Sequence, residues 1–371
     1  MPWQEVVKVE LRRLFAATIE SGKLSMSEAC REFKISRTCG YKWLKRYRLE
    51  GMAGLQDRSR RPHHIGRSTP APVEEAVLKE RGKYPFWGAR KIKKRLEMQG
   101  ITPPSERTIN RILKRAGFSD GLAKPKEEIQ RFQRSRPNAL WQMDHKGRVW
   151  GNWNKRVVPF CVLDDATRYC LGLWSLPDKG LQSTWSALWD IFGEVGLPES
   201  ILSDNAPTFR GIVGPSRMEV RLLLLGVRFL HGRIMHPQTQ GKVERFNGTL
   251  QREVLQNGRF SSPGELTEQF EQFRHRYNFD RPHEALGMDT PGLHYRPSPR
   301  SRPDRIPSVH YPPGRLLRKV MSGGYISYRG RRVRVGDGLI GYWVEVREFN
   351  RGIEVYFGPH RILGTDLRER K

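Results

Sequence analysis

Residues 236–254 of the chain read HPQTQGKVERFNGTLQREV, and the two halves of this stretch differ in composition. The first half is rich in Gln, Gly and Pro, which favour a loop, whereas the residues from Lys242 onward favour a helix. That helix would carry Glu244 among basic and polar side chains. A carboxylate in so basic a segment, in a chain with a formal net charge of +28, indicates a specific task for Glu244.

The positive charge lies mainly at the two ends of the chain. Residues 1–136 contain 32 Lys and Arg against 15 Asp and Glu, residues 137–290 contain 18 against 17, and residues 291–371 contain 17 against 7. The net charges of these segments are therefore +17, +1 and +10. Two basic arms around a near-neutral middle favour a polyanion, above all nucleic acid, as the partner.

The composition argues against several other classes of protein. Hydrophobic residues make up 37% of the 371 residues, which suits two to four ordered domains. The chain has no run of about 18 apolar residues and no secretory signal at its N-terminus, so we expect a cytoplasmic protein without a membrane partner. The four cysteines lack the short paired spacings of a structural zinc site.

Residues 1–56 are predicted to form a helix-turn-helix domain. Ser25 and Glu28 fit a capping box that begins one helix, and Ser36 can cap a second helix that ends near Leu49. The second helix would present polar and basic side chains to a major groove. These side chains are Arg37, Thr38, Lys42, Lys45 and Arg46. The alternative is an ordinary helical hairpin with a solvated basic face, but the clustering of charge on the second helix favours DNA binding.

A polar, basic linker that contains several prolines is predicted at residues 57–72. Its side chains Arg58, Arg60 and Arg61 can follow phosphates or enter a minor groove. A linker that is merely solvated is the alternative interpretation.

A second helix-turn-helix-like domain is predicted at residues 73–120, followed by a charged linker at residues 121–136. Its third helix would begin at Ser105 and expose basic side chains for DNA, while its apolar residues pack inward. The exposed residues are Arg107, Arg111 and Lys114. Two such units in tandem imply a long binding site.

The pattern changes to strands at residue 137. Three β-rich runs, followed by alternating helices and strands, predict a central α/β domain at residues 137–295, built on a mixed five-stranded sheet with helices on its faces. Residues 310–371 contain short strands separated by Gly turns and predict a small basic β-barrel. The fold class is therefore multidomain: all-α units, an α/β core and a β-barrel.

Three acidic residues stand at distinctive positions in the central domain. Asp144 lies in the first strand, Asp204 ends the fourth, and Glu244 lies on the helix after the fifth. Strand-borne carboxylates can converge with one on a crossing helix, and carboxylates without a Cys/His set favour Mg²⁺, with Mn²⁺ as a substitute, over Zn²⁺. Two such ions in one active site can catalyse displacement at a phosphodiester.

Each acid also has a plainer interpretation when it is taken singly. Asp204 could form a turn, Asp144 could be a partly exposed strand residue, and Glu244 could form a helical ion pair. Asp164 and Asp165 occupy a predicted hairpin turn, where Asp is expected anyway, so we leave both out of the site.

Four stretches resemble the integrase-core, DDE-type transposases of bacterial insertion sequences, which share a catalytic fold with retroviral integrases. They are WQMDHKG around Asp144, LSDNAPTF around Asp204, the stretch quoted above, and YNFDRPHEALGMDTP from Tyr277. The resemblance implies a ribonuclease-H-like core with Asp144, Asp204 and Glu244 as the catalytic, metal-binding acids. It also implies a bacterial, nucleoid-associated protein.

The resemblance has one departure on the helix of Glu244. Several relatives carry Lys or Arg seven residues after the catalytic Glu, where this chain has Gln251. DNA contacts from this face are therefore predicted for a mixed set of side chains. They are Lys242, Arg245, Asn247, Gln251 and Arg252.

The function implied is that of a transposase. It would bind the terminal inverted repeats of its element, cleave at the 3′ end and transfer the strand to target DNA, as a homodimer or higher multimer. The alternatives are a DNA-binding regulator or inactive remnant, and a ribonuclease-H-like nuclease or resolvase without transfer activity.

Overall fold

The computed structural model describes residues 8–59, 69–118, 133–150, 156–204, 209, 211–232, 241–256, 258, 260–349 and 352–366. The chain divides into two compact units, Met1–Ser68 and Thr69–Lys371. The predicted DNA contacts Arg60 and Arg61, and the predicted loop at residues 236–240, lie outside the described residues. Within the described ranges, no helix is both long enough and apolar enough to cross a membrane.

The described part of the first unit is helical. Its elements are α1 (Lys8–Glu20), α2 (Met26–Glu32), α3 (Arg37–Glu50) and a 3₁₀ turn at Gly51–Leu55. The predicted capping box begins α2, since Ser25 Oγ accepts from the Glu28 amide and the Glu28 carboxylate accepts from the Ser25 amide. A Cβ at Gly40 would lie 2.6 Å from Cys30 Sγ, so the close crossing of α2 and α3 requires Gly there. The predicted helix-turn-helix is confirmed in this unit.

A second helical group begins the other unit. It consists of α4 (Ala71–Lys83), α5 (Ala89–Met98) and α6 (Glu106–Arg115). Ser105 caps α6 by accepting from the Thr108 amide, as its position before the helix predicts. Ile109, Ile112 and Leu113 are buried against α4 and α5, so the opposite face of α6 is left exposed.

Ion pairs fasten the second helical group to the central domain. Lys94 Nζ lies 3.4 Å from Asp289 Oδ1, and Arg95 Nη1 lies 3.2 Å from Asp280 Oδ1. The Arg281 guanidinium lies 6.0 Å from the ring centre of the buried Trp87. These contacts hold the second helical group against the segment that follows α10.

The central domain is built on one mixed sheet. Its strands are β1 (Trp141–His145), β2 (Val149–Trp150), β3 (Arg156–Asp164), β4 (Cys170–Leu176), β5 (Ser200–Ser203) and β6 (Arg228–His231). Strand β3 pairs antiparallel with β4 on one side and with β1 on the other. Strand β5 then pairs parallel with β1 and with β6. Strand β2 continues β1 along β3. The predicted mixed sheet is therefore confirmed, with β2 as a short addition.

Helices cover both faces of this sheet, which is why β3 is apolar along almost its whole length. They are α7 (Leu181–Val195), α8 (Arg217–Leu224), α9 (Gly241–Leu250), α10 (Pro263–His275) and the short α11 (Pro291–His294). On one face Met143 packs with Phe192 of α7, and on the other Cys161 packs with Phe246 of α9 and Phe270 of α10. The arrangement is the ribonuclease-H-like one that the resemblance implied.

The C-terminal region is an antiparallel sheet, and the predicted closed barrel is wrong. Its strands are β7 (Leu317–Lys319), β8 (Tyr325–Tyr328), β9 (Arg331–Arg334), β10 (Trp343–Phe349), β11 (Gly352–Phe357) and β12 (His360–Asp366). Four pair in the order β12, β11, β10, β7, while β8 and β9 form a separate hairpin, and among the described residues no pairing joins β12 to β7. Alternating apolar residues predict half-buried strands, but closure depends on pairing between the end strands.

Candidate active site

Asp144 lies on β1, and Asp204 directly follows β5, the parallel neighbour of β1. In the register of β1 and β5, Trp141 pairs with Ile201 and Gln142 with Leu202. The same register, continued by two residues, sets Asp204 beside Asp144. Parallel neighbours lie about 4.8 Å apart and direct paired side chains to the same face. This register would bring the two aspartates together at the end of the sheet, in agreement with the effect of the Asp204 charge on Asp144.

Glu244 reaches the same region from α9. Val243 and Phe246 are buried in the core under this helix, and Glu244 is exposed. One turn further on, Asn247 is only 7% exposed and donates from Nδ2 to Asp144 Oδ2 at 2.7 Å. This hydrogen bond fastens α9 to β1 directly at the carboxylate of Asp144.

The three carboxylates act on one another electrostatically. The pKa of Asp144 is raised by burial and then by the negative charge of Asp204, with a smaller contribution from Glu244, while Lys179 lowers it. Nearby negative charge disfavours the ionised form of Asp144, and a cation beside it would remove that cost. Glu244 therefore adds to the negative charge around Asp144.

His145 does not belong to this group. Successive strand residues point to opposite faces, and the His145 imidazole bonds to Thr184 at 3.0 Å and stacks on Phe209. Burial lowers the pKa of His145 to about 4, so its ring is neutral at physiological pH.

The donor chemistry of the site fits a hard divalent cation. Carboxylate oxygens are the ligands that Mg²⁺ and Mn²⁺ prefer. Asp144, Asp204 and Glu244 would each supply one carboxylate group. Among the residues that the structure describes, however, no three His, Cys, Asp or Glu side chains already stand at metal-binding positions. Asp204 and Glu244 both affect the charge at Asp144, but the described residues do not form a complete three-ligand group.

The predicted DNA contacts on the helix-turn-helix units are accessible. Arg37, Thr38, Lys42 and Lys45 are exposed on α3, and Arg46 is half-buried. Lys42 and Arg46 also lie within about 5.3 Å of the Trp43 ring, which holds their stems against the helix. On α6 three side chains are exposed: Arg107, Arg111 and Lys114. In the linker, Arg58 is exposed and bonds to Glu50.

The side chains predicted on α9 divide into two groups. Arg245, Gln251 and Arg252 are exposed, so they are accessible to DNA. Lys242 instead contacts Asp165, and Asn247 bonds to Asp144. Burial lowers the pKa of Lys242 to about 8. Because both have partners within the protein, we do not include Lys242 and Asn247 in the proposed DNA interface.

The acidic pair Asp164 and Asp165, which the sequence argument left out, has a structural role. Both are 1% exposed. Asp164 accepts from the Asn138 amide at 2.7 Å and from the amide and hydroxyl of Thr167. A signal was present in the sequence, since the two acids directly follow a long apolar strand, and buried carboxylates need donors.

The fold joins helix-turn-helix units to a mixed sheet covered by helices, and the structure of this sheet resembles that of an integrase core. Comparisons with known proteins agree with this class. Residues 225–291 match the model described as an integrase core domain, residues 12–63 match a helix-turn-helix domain, and residues 39–113 match a homeodomain-like domain. The integrase core and the helix-turn-helix domains predicted from the sequence are thus confirmed, and these domains indicate DNA binding.

Its relatives among curated proteins come from mobile elements. The chain is 24% identical to the transposase for transposon Tn552 of Staphylococcus aureus, over 63% of this chain and 54% of that protein. It is also 24% identical to an uncharacterized 31.7 kDa protein of insertion element IS407 of Burkholderia multivorans, over 55% of this chain and 74% of that protein. The chain therefore spans about half the length of the Tn552 relative.

Solved structures that resemble the chain include retroviral integrases. A chain of the simian T-cell lymphotropic virus intasome, solved in complex with the PP2A regulatory subunit B56 gamma, has 16% identity and a TM-score of 0.38, over 75% of this chain and 91% of that chain. The HTLV-2 integrase catalytic core domain in complex with magnesium has 16% identity and a TM-score of 0.34, over 43% of this chain and 98% of that chain.

Proposed function

We propose that the chain is a transposase that binds the terminal inverted repeats of an insertion sequence and performs Mg²⁺-dependent 3′-end cleavage and strand transfer in the bacterial cytoplasm. The observation that supports the proposal is the β1–β5 register. Continued by two residues beyond the Gln142–Leu202 pair, this register would set Asp204 beside Asp144, on the face against which Asn247 holds α9. We assign this chemistry to residues 137–295 and DNA binding to residues 1–56 and 73–120.

Asp144, Asp204 and Glu244 would hold the divalent cations. Two Mg²⁺ ions, when bound, supply the charge that activates the attacking oxygen and stabilises the leaving oxygen in an in-line displacement at phosphorus. Asn247 holds the carboxylate of Asp144 in place by donating to Oδ2. Exposed Arg245 lies on α9 with Glu244, and exposed Arg252 lies in the π-helical segment Gln251–Leu255 that directly follows α9. Both side chains can hold phosphates of the DNA end.

The reaction needs no covalent enzyme intermediate. In the first step water attacks the phosphorus at the element's 3′ end, which leaves a 3′ hydroxyl on the element and a 5′ phosphate on the flanking DNA. In the second step that hydroxyl attacks a target phosphodiester, so one ester bond forms as another breaks. The energy of the bond is conserved, and no further reactant is required.

DNA recognition would fall to α3 and α6. Their exposed side chains can reach base edges while the many other Lys and Arg residues contact phosphates, which makes the affinity strongly dependent on salt. The ion pairs between α5 and the central domain tie the α6 group to the catalytic core of the same chain. Because two element ends must be joined, we propose at least a dimer on DNA.

The test is cleavage of a labelled duplex that carries the terminal repeat bordering the gene of this protein. Wild type and Asp144→Asn are compared with Mg²⁺ or Mn²⁺ and an unlabelled target plasmid. We expect both proteins to bind the repeat, and only the wild type to release a 3′ hydroxyl end and to join it to the plasmid.

Other outcomes identify the alternatives. Binding of the repeat by wild type without cleavage or joining under any Mg²⁺ or Mn²⁺ condition would show a DNA-binding regulator or an inactive remnant. Cleavage without joined product would show a nuclease or resolvase. The tandem helix-turn-helix units favour a transposase over a nuclease, because two such units together would recognise a long duplex site.

A further inference from the structure

Asp165 connects β1 and α9, two of the three elements beside which the proposed catalytic acids lie. Its Oδ1 accepts from Gln142 Nε2 at 2.7 Å and contacts Lys242 Nζ, while Oδ2 accepts from the Arg134 amide at 2.7 Å. Lys242 Nζ also lies 3.2 Å from the Asp165 carbonyl oxygen. One buried carboxylate therefore bonds to a β1 side chain and to an α9 side chain at the same oxygen.

Each of the two side chains that meet at Asp165 precedes one of the proposed catalytic acids by two residues, on the same face of β1 for Gln142 and about 200° around α9 for Lys242. Gln142 precedes Asp144 by two residues on β1 and points to the same face, about 6.6 Å away along the strand. Lys242 precedes Glu244 by two residues on α9, about 3 Å away along the helix axis. A shift of Lys242 relative to Gln142 would therefore move Glu244 relative to Asp144.

We propose that Asp165 and Lys242 are positioning residues that set the place of Glu244 relative to Asp144. This inference rests on the proposed function and deepens it. Helix α9 is fastened to β1 at two points, through Lys242 at Asp165 and through Asn247 at Asp144. Glu244 lies between these points, so the pair of contacts fixes both its height and its rotation. With Asn247 alone, the N-terminal turn of α9 could pivot.

The burial of the ion pair makes this contact hard to replace. The Asp165 side chain has no exposed surface, and the Lys242 side chain is 17% exposed. A buried charge that loses its partner is strongly unfavourable, so the pair excludes arrangements in which α9 has shifted. An exposed pair would be screened by water and would not restrict the helix in this way.

The experiment uses the full chain and compares Lys242→Met, which keeps the length of the side chain but removes the charge, with Lys242→Arg, which keeps the charge. The matched control is Arg281→Met. Arg281 forms a buried ion pair with Glu253, in which each side chain is 8% exposed, beyond the C-terminal end of α9. Three quantities are measured: repeat binding in EDTA, the rate of repeat cleavage, and the Mn²⁺ concentration that gives half of the maximal rise in unfolding temperature.

We expect Lys242→Met to bind the repeat within about twofold of wild type and to cleave it about 10- to 100-fold more slowly, the size seen when a group that orients a metal ligand is removed. Its half-saturating Mn²⁺ concentration should rise about tenfold, in line with the same principle. Lys242→Arg should recover most of both losses. Arg281→Met should lower the unfolding temperature but keep the wild-type half-saturating Mn²⁺ concentration.

Two results would overturn the inference while leaving the proposed function intact. One is a Lys242→Met protein whose activity falls only as far as its folded fraction, with unchanged Mn²⁺ dependence. The other is an Arg281→Met protein that shifts the Mn²⁺ dependence equally. If Lys242→Met does not fold, Lys242→Gln, which still donates to Asp165, should show a smaller shift in the same direction, and no shift would overturn the inference. A wild type that neither cleaves nor responds to Mn²⁺ overturns both proposals.

Discussion

Two acidic pairs lie on the central sheet, and they differ in what surrounds their oxygens. Asp164 and Asp165 are almost fully buried, and backbone and side-chain donors surround both carboxylates. Asp144 is half-buried, and the carboxylates of Asp204 and Glu244 raise its pKa. Hydrogen-bond donors of the protein compensate the carboxylates of Asp164 and Asp165, whereas Asp144 has other negative charges near it.

The difference shows that an acidic residue's role depends on its donors. A buried carboxylate with a full set of donors joins elements together, because losing it leaves those donors unsatisfied. Carboxylates that face one another gain stability from an added cation instead. The following predictions test this contrast between the Asp144–Asp204 pair and the Asp164–Asp165 pair.

Replacing Asp144 should affect chemistry far more than stability. We expect Asp144→Asn to cleave the terminal repeat at least about 10³-fold more slowly, the factor that corresponds to about 4 kcal/mol of lost transition-state stabilisation. Its unfolding midpoint should stay the same or rise, because one of three repelling charges is gone. Single-turnover cleavage and urea unfolding measure the two effects. If Asp144→Asn lowered the free energy of unfolding as much as an Asp164 variant does, the two acidic pairs would not differ in their role in stability.

Replacing Asp164 should affect stability first. Asp164→Ala leaves the amides of Asn138 and Thr167 without their acceptor, which should lower the free energy of unfolding by about 3 kcal/mol. Urea unfolding of the variant measures the loss, and Asp304→Ala, at an exposed position, is the control. A loss no greater than that of the control would contradict a structural role for Asp164.

Mn²⁺ should stabilise the protein through Asp144 and Asp204, and not through Asp164 and Asp165. Mn²⁺ at ten times its dissociation constant should raise the free energy of unfolding of the wild type by about 1.4 kcal/mol. Asp144→Asn should lose this response, and Asp164→Asn should keep it. A thermal unfolding series with increasing Mn²⁺ measures it, and an equal loss in both variants would mean that the two pairs do not differ in metal binding.

The smallest expected effect is the pH dependence contributed by Asp164. Burial raises the pKa of Asp164 above its ordinary value of 3.8, although bonds from Asn138 and Thr167 oppose the shift. As the pH rises from this ordinary value to the raised one, the unfolded chain releases the proton first, so stability falls. The slope is at most about 1.4 kcal/mol per pH unit.

Comparison with Asp164→Asn isolates this contribution. The urea midpoints of wild type and variant are measured at several pH values above 3.8, and the difference between the two curves is taken. The wild type should lose more stability than the variant as the pH rises. A difference that is flat, or that grows in favour of the wild type, would contradict a raised pKa.

Local patterns in the sequence were sufficient for much of the fold. Ser25, Ser36 and Ser105 marked the starts of helices because caps act within one turn of the chain. The change from helical to strand periodicity located the mixed sheet. Closure of the C-terminal strands was predicted wrongly, because pairing of the first strand with the last depends on residues far apart in the sequence.

The candidate site was predictable in part. The position of Asp144 and Asp204 on strands and of Glu244 on a helix follows from the sequence alone. The partners of Lys242 and Asn247 do not, since they lie 77 and 103 residues away. Charged and polar side chains on a helix look alike in sequence, and whether they face DNA or a buried carboxylate is settled by packing.

By itself, the sequence determined the kinds of elements, the order of the three acids along the chain and the excess of positive charge at its ends, because these depend on local propensity and composition. Only the tertiary structure decided which acids meet. The register of β1 with β5 directs the chain end that carries Asp204 towards Asp144, and the packing of α9 against β1 holds Asn247 at Asp144 and Lys242 at Asp165. Contacts between distant segments fix these positions, and they form only when the chain has folded.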